Sequence, residues 1–393
     1  MDPPDPQLVR DPASLRIALL TPCFWPEVRR GGERFVRELA DGLLVRGHRP
    51  TLITSHRGFP RRTVEDGLPI LRLPRPPQGR LLRRHYEPYL THIPLSYMAL
   101  CAQEYDLAHA VHPPDAMAAI RWKRRTGRPA ILSYLGIPDR KGLTEYRRRL
   151  DLLVRAGAGA DAVVALSRYA ADAFSYWLGI EARVISPGVN LDGFHLRSER
   201  SPVPTIICSA APEVPRKNIG LLIKAFALLR RRHPDARLIL SRPRDPQAAR
   251  SADVDLEAPG VEWRNLDDRA DLARAYGESW VAALPSSDEA FGLVIVEALA
   301  CGTPVVGYAH AAIPEVIDSD EIGRLFEQLD PGELARALSD CFELAGDPAT
   351  QDRCRTRAED FSVDRCVEAY LSLYRDLLGQ PVGSSQPAVP LVQ

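Results

Sequence analysis

Two carboxylates with seven residues between them, Glu289 and Glu297, lie in the stretch PSSDEAFGLVIVEALACGTPVV at 285–306, on either side of a glycine turn. That pattern could bind a hydroxyl-rich, anionic ligand. The elements that must hold it are legible on both sides. VAAL at 281–284 is a short apolar run of the kind that forms a buried strand, turn residues follow, and 293–300 has a helical pattern. Gly302 stands where a helix C-terminal glycine is expected, and 303–307 resumes a β-branched strand. The result is a βαβ unit whose helix N-terminus faces a ligand loop. Free amides of Phe291, Gly292 and Leu293 would meet an anion there, and Gly292 lets the backbone approach a diphosphate closely. Glu297 is a lone carboxylate among Val294, Ile295, Val296, Ala298 and Leu299, so something polar should meet it. The plainer alternative is that Glu289 complements the helix dipole while Glu297 lies on one wet stripe of the helix.

The spacing of the two glutamates, with Phe291-Gly292 between them and Gly302-Thr303-Pro304 behind, resembles the retaining GT-B glycosyltransferases of family 4. The resemblance covers about residues 15–378 and implies an α/β GT-B fold: two Rossmann-like doubly wound domains facing across a cleft, with a C-terminal helix returning to the first. It implies transfer of a sugar from a nucleotide-sugar to an acceptor hydroxyl with retention. In that reading Glu289 meets the donor sugar, Glu297 holds the ribose, and Lys217 with the amides of Phe291, Gly292 and Leu293 holds the diphosphate. Lys217 and Glu289 are the residues expected to be catalytic. Lys217 ends a loop before NIGLLIKAF, and Arg216 is read as its bland neighbour. The opening LRIALLT, followed by Gly31-Gly32-Glu33 at the mouth of a helical pattern, resembles the first βαβ of the acceptor domain, with Gly32 near the donor.

Three positions depart from the family pattern. Ala210, Ala211 and Pro212 stand where an arginine usually assists the lysine, and Arg242 could supply the missing charge. Tyr134 replaces a common histidine and is a poor base at neutral pH, with a reference pKa of about 10. His310-Ala311-Ala312 replaces paired glycines before Pro314-Glu315. Two alternatives therefore stay open: a relative that binds nucleotide-sugar without ordinary turnover, and a GT-B enzyme of different chemistry. His109 and His112, in LAHAVHPPD, could line the cleft on the acceptor side together with Tyr134, and Asp115 could cap the following helix. No Asp-x-Asp stands at a strand end to hold a sugar-nucleotide metal, so metal-independent transfer with no cofactor is expected.

A chain of 393 residues suits two α/β domains. The expected boundaries are 14–189 for the acceptor domain, 204–360 for the nucleotide-sugar domain and 361–379 for the returning helix, with disordered tails at 1–13 and 380–393. Strands are expected near 69–73, 106–111, 130–134, 162–166, 182–185, 205–210 and 238–241, and two helical patterns, 331–345 and 363–378, close the chain. The seven cysteines form no Cys-x-x-Cys pair and read as small buried residues. No apolar run approaches the ~20 residues that span a bilayer, and the start has no signal-peptide core, so a cytoplasmic protein is expected. The net charge of zero hides an asymmetry: residues 1–200 carry 31 Lys+Arg against 21 Asp+Glu, and residues 201–393 carry 20 against 30. The basic excess, concentrated in RLLRRHYEPYL, RWKRR and RRR, could meet an anionic membrane face or a phosphate-bearing acceptor, the latter a small molecule, glycan or lipid-linked species. No nucleic-acid partner is expected.

Overall fold

The computed structural model describes residues 14–27, 31–196 and 199–379. The tails expected at 1–13 and 380–393 lie outside the described residues. The described residues divide into two compact units, the first drawn from within 14–164, 175–183 and 367–379, the second from within 165–174 and 184–366.

The first sheet is built from β1 (Arg16–Leu20), β2 (Arg49–His56), β3 (Arg61–Glu65), β4 (Leu68–Pro74), β5 (Leu107–Ala110), β6 (Ala130–Tyr134), β7 (Ala162–Ala165) and β8 (Arg183–Val184), in the order β3-β4-β2-β1-β5-β6-β7-β8. The strands β1, β2, β4, β5 and β6 pair with one another in parallel, and every residue of β5 and β7 is buried. Such strands have no polar face, because helices cover both sides of a parallel sheet. The polar edge strand β3 was not expected. It exists because Asp66 and Gly67, with φ of 49° and 81°, close a two-residue hairpin that lays it antiparallel on β4.

The second sheet holds β9 (Thr205–Cys208), β10 (Arg237–Ser241), β11 (Val261–Arg264), β12 (Val281–Leu284), β13 (Val305–Tyr308) and β14 (Gly323–Phe326), ordered β11-β10-β9-β12-β13-β14 and all parallel. This is the doubly wound order in which strand direction of travel reverses between β9 and β12. Ligands bind at that switch point, outside the carboxyl ends of the strands. A helix at Pro348–Glu359, absent from the sequence expectation, separates the two that were expected near the C-terminus.

The last helix, Val363–Leu378, belongs to the first unit from Val367 onward. Its Tyr374 and Tyr370 hydroxyls reach His109 Nδ1 at 2.7 Å and Ser133 Oγ at 2.9 Å, tying the end of the chain to β5 and β6. No helix among the described residues is long and apolar enough to cross a membrane.

Candidate functional site

Because β9 and β12 are paired, the loops leaving their carboxyl ends lie side by side. Hydrogen bonds join them. Asn218 Nδ2 donates to the Pro285 carbonyl at 2.9 Å, the Ser287 amide to the Arg216 carbonyl at 2.9 Å, and the Ser286 hydroxyl to the same carbonyl at 3.2 Å. The first loop ends in a single 3₁₀ turn, Pro215–Lys217, and Asn218 takes a left-handed φ of 52° before the helix Ile219–Leu229 begins. Both cations of that turn converge on Glu289. Lys217 Nζ donates to Glu289 Oε1, and Arg216 donates to the same oxygen at 3.1 Å and to the Asp288 carbonyl at 2.5 Å. Burial pushes the Glu289 carboxyl up, but the Lys217 and Arg216 charges, with hydrogen bonds from Lys217 and Ser286, outweigh it and hold the group below the usual carboxylate range. Arg216 is thus part of the cluster rather than a bland neighbour of Lys217. Sequence spacing hid this, since adjacent residues diverge by about 100–120° on either kind of helical turn, and nothing local shows that two long side chains reach one carboxylate 72 and 73 residues away.

The helix Leu293–Ala300 starts from Gly292, whose φ of 97° and ψ of 49° are left-handed. A Cβ there would also sit 3.0 Å from Ile313 Cδ1, so glycine is required twice over. No side chain caps this N-terminus, and the amides of Phe291, Gly292 and Leu293 donate no hydrogen bond within the described residues. The Phe291 ring itself is buried edge-on against Phe361, so only its amide is available to a ligand. At the other end Gly302 has a φ of 75°, and two arginines take up the free carbonyls: Arg355 donates to Ala300 O at 3.0 Å and Arg200 to Gly302 O at 2.8 Å. Glu297 is 1% exposed and meets a polar partner, the Tyr276 hydroxyl at 3.4 Å from Oε2, which in turn lies 2.6 Å from Ser209 Oγ.

The remaining expected residues are spread over other surroundings. Arg242 follows β10, is exposed, and pairs with no acidic side chain among the described residues. Gly32 lies in the first turn of the helix Gly31–Val45, where a Cβ would come 3.1 Å from Leu135 Cδ1. Tyr134 ends β6 half-buried, and burial raises its phenol pKa. His112 precedes the helix Pro113–Thr126, near the Tyr89 ring, and burial lowers its imidazole pKa.

Two expectations are corrected. His109 cannot line a cleft: it is fully buried, its Nε2 is 2.7 Å from Ser133 Oγ as its Nδ1 is from Tyr374, and burial pushes its pKa down to about 3. Asp115 does not cap its helix but sits inside the first turn, fully buried, with Oδ1 2.6 Å from His92 Nδ1. The alanine that replaces a family glycine has a measurable consequence, since Ala311 adopts a left-handed φ of 53°. Six of the seven cysteines are buried and Cys101 is exposed.

Residues 29–192 match the family model described as Glycosyltransferase Family 4, and residues 197–361 the model described as Glycosyl transferases group 1. A D-inositol 3-phosphate glycosyltransferase of Saccharomonospora viridis is 31% identical over 248 residues, which is 58% of this chain and 56% of that protein. The chain therefore spans about half the length of that relative. A phosphatidyl-myo-inositol mannosyltransferase of Mycobacterium tuberculosis is 26% identical over 337 residues, 83% of this chain and 86% of the relative. Among solved structures, a sucrose-phosphate synthase from Thermosynechococcus elongatus superposes with a TM-score of 0.75 at 22% identity, covering 93% of this chain and 99% of its own. Anabaena HepE in complex with UDP-glucose gives 0.72 at 19% identity, covering 92% and 100%. With one family model on the first half, a second on the half that carries Glu289 and Glu297, and a shared fold, the chain belongs to the GT-B glycosyltransferases of family 4.

Proposed function

We propose that the chain transfers a sugar from a nucleotide-sugar to an acceptor hydroxyl, with retention of anomeric configuration and without a metal ion. The observation that carries this reading is the convergence of Lys217 and Arg216 on Glu289 beside the uncapped amides of 291–293. Departure of a nucleoside diphosphate needs fixed positive charge where the phosphate oxygens gain negative charge, and two cations plus oriented amides supply it. A diphosphate arriving there competes with Glu289 for the cations. The carboxylate so released accepts hydroxyls of the donor sugar, which couples sugar recognition to phosphate binding. Glu297, on the helix that those amides open and within reach of the Tyr276 hydroxyl from the helix Arg269–Glu278, takes the ribose hydroxyls in this reading. On the same reading Arg216, which meets Glu289 at 3.1 Å, takes the role for which Arg242 was considered. No base is required of Tyr134, because in a front-face retaining reaction the departing phosphate oxygen takes the acceptor proton.

The acceptor is assigned to the first unit. Relatives named for inositol phosphate and phosphatidylinositol substrates, together with the basic excess of residues 1–200, support an anionic, inositol-like acceptor, free or lipid-linked. The exposed Arg80, Leu82 and Arg83 of the helix Gly79–Arg83 support peripheral contact of a cytoplasmic protein with an anionic membrane face. The test is to incubate the full chain with UDP-, GDP- and dTDP-sugars and either D-inositol 3-phosphate or phosphatidylinositol vesicles, with and without EDTA, and to identify products by mass spectrometry and anomeric NMR. An inverted anomer would remove retention, and loss of turnover in EDTA would remove metal independence. The alternative of binding without turnover is favoured by Ala210–Pro212; donor-induced thermal stabilisation with no transfer or donor hydrolysis would select it.

A further inference from the structure

The second unit carries a histidine to which the transfer chemistry gives no part. His310 stands where paired glycines are common before Pro314-Glu315, and a glycine offers a ligand no side chain. The turn that carries it follows β13, the strand paired with β12, so it lies beside the loop of Glu289. Two contacts fix that neighbourhood. The Ala312 amide donates to the Glu289 carbonyl at 3.2 Å, and His310 Nε2 stands 3.9 Å from Oδ1 of Asp288, the residue before Glu289.

The imidazole is held by rings rather than by hydrogen bonds. Tyr169, which also belongs to the second unit, packs edge-on against it with centroids 5.6 Å apart and planes at 68°, and Tyr308 lies tilted at 5.7 Å. Both flanking rings are themselves anchored. Glu315 accepts from the amides of Arg168 and Tyr169 at 2.9 and 2.8 Å, and the Tyr308 ring lies 5.4 Å from the buried ring of Phe326. Neither nitrogen of His310 has a hydrogen-bond partner among the described residues, the gap to Asp288 being too long for one, and the side chain is 43% exposed. The result is an imidazole fixed in direction beside Glu289, with one donor and one acceptor open to a ligand in its neutral form.

We propose that His310 is a specificity-determining residue of this chain, which decides by hydrogen bonding which epimer of the donor sugar is accepted. This deepens the donor-site reading above and rests on it. There Glu289 accepts one sugar hydroxyl beside the amides that take the diphosphate. His310, the neighbouring side chain on the β13 side, meets the hydroxyl of an adjacent ring carbon. Inverting that carbon swings its hydroxyl between equatorial and axial, away from an imidazole that the flanking rings keep from following. The wrong epimer then leaves polar groups unpaired on both partners, which is how a hydrogen-bonding site rejects a close analogue. A chain with glycine at this position has no side chain with which to make the distinction.

Calorimetry on the full chain would compare two epimer pairs, UDP-glucose with UDP-galactose and GDP-glucose with GDP-mannose, each referred to UDP or GDP alone. In the wild type at least one pair is expected to differ in Kd by about tenfold or more, and in His310→Gly that ratio should fall to about twofold or less. His310→Phe keeps a ring against Tyr169 and Tyr308 but has no nitrogen, and it should lose the preference as well. Thermal melting of both variants reports on the fold, and their affinity for UDP or GDP reports on the diphosphate site, since neither nucleotide carries a sugar to be read. A preference that survives in His310→Phe would assign the selection to ring shape and overturn the proposal. So would a wild type that distinguishes neither pair. Nucleotide binding with an epimer ratio unchanged in His310→Gly removes the role of His310 alone, whereas failure of both UDP and GDP to bind removes the donor-site reading beneath it.

Discussion

Replacing Lys217 by alanine removes one charge that serves both the stability of the second unit and the proposed chemistry. The Glu289 side chain is 10% exposed and that of Lys217 15%, whereas the other cation, Arg216, is 46% exposed. A half-exposed arginine acts through solvent and contributes little, so Arg216 alone does not offset the burial of the carboxylate. Removing one partner of a buried pair costs about 3–5 kcal/mol, and the surviving Arg216 and Ser286 contacts bring the expected loss to about 2–3 kcal/mol. The sign of the pH dependence follows from the depressed Glu289 pKa. Its contribution is fully present above the unfolded-state value of about 4.3 and is lost as pH falls through the lower folded value. Urea unfolding should therefore separate wild type from Lys217→Ala at neutral pH and bring them together in acid. In the same variant kcat/KM should fall by about 10²–10³, the usual effect of removing one fixed donor to developing charge. A stability loss of equal size at both pH values would show that Lys217 acts by packing. Unchanged kinetics would refute its place at the diphosphate.

Gly292→Ala should destabilise by about 1–2 kcal/mol through its left-handed φ and its approach to Ile313, read as a lower Tm, and should weaken donor binding by disturbing the free amides. Ala311→Gly should be neutral or stabilising by up to ~1 kcal/mol, because relief of the left-handed alanine offsets the added chain entropy; a loss of ~1 kcal/mol in urea unfolding would argue against strain. Tyr276→Phe should cost about 0.5–1.5 kcal/mol and weaken nucleotide binding in calorimetry, by releasing Glu297 from its hydroxyl partner. His109, with a folded pKa near 3, binds its proton more readily in the unfolded chain, so stability should rise with pH between about 3 and 6.5, by at most ~1.4 kcal/mol per pH unit; His109→Gln should remove that component of the slope in acid unfolding.

The motif around Glu289 was legible because strand, glycine and helix follow one another within a few residues, and each has a local signature. The helix Leu293–Ala300 and the left-handed Gly302 could be read directly. What sequence could not supply was long-range partnering. His109 lies in an apolar strand whose neighbours Leu107, Ala108 and Ala110 are fully buried, and its partners stand 24 and 265 residues away. Nothing local distinguishes such a histidine from one lining a cleft. Arg216 was underrated for the same reason: the carboxylate it reaches, Glu289, stands 73 residues further along the chain. The β3 strand carried its signal in Asp66-Gly67, a hairpin dipeptide, but its polar residues concealed it.

The junction between the last helix and strands β5 and β6 bears on how the chain is made. During synthesis His109 and Ser133 leave the ribosome more than two hundred residues before Tyr370 and Tyr374. Until then the first unit carries a buried imidazole and hydroxyl that lack their tyrosine partners, at a cost of the order of 1–3 kcal/mol each. Its sheet thus assembles early but is locked late, and a fragment ending near residue 190 should populate a looser state that the complete polypeptide passes through on its way to the native one.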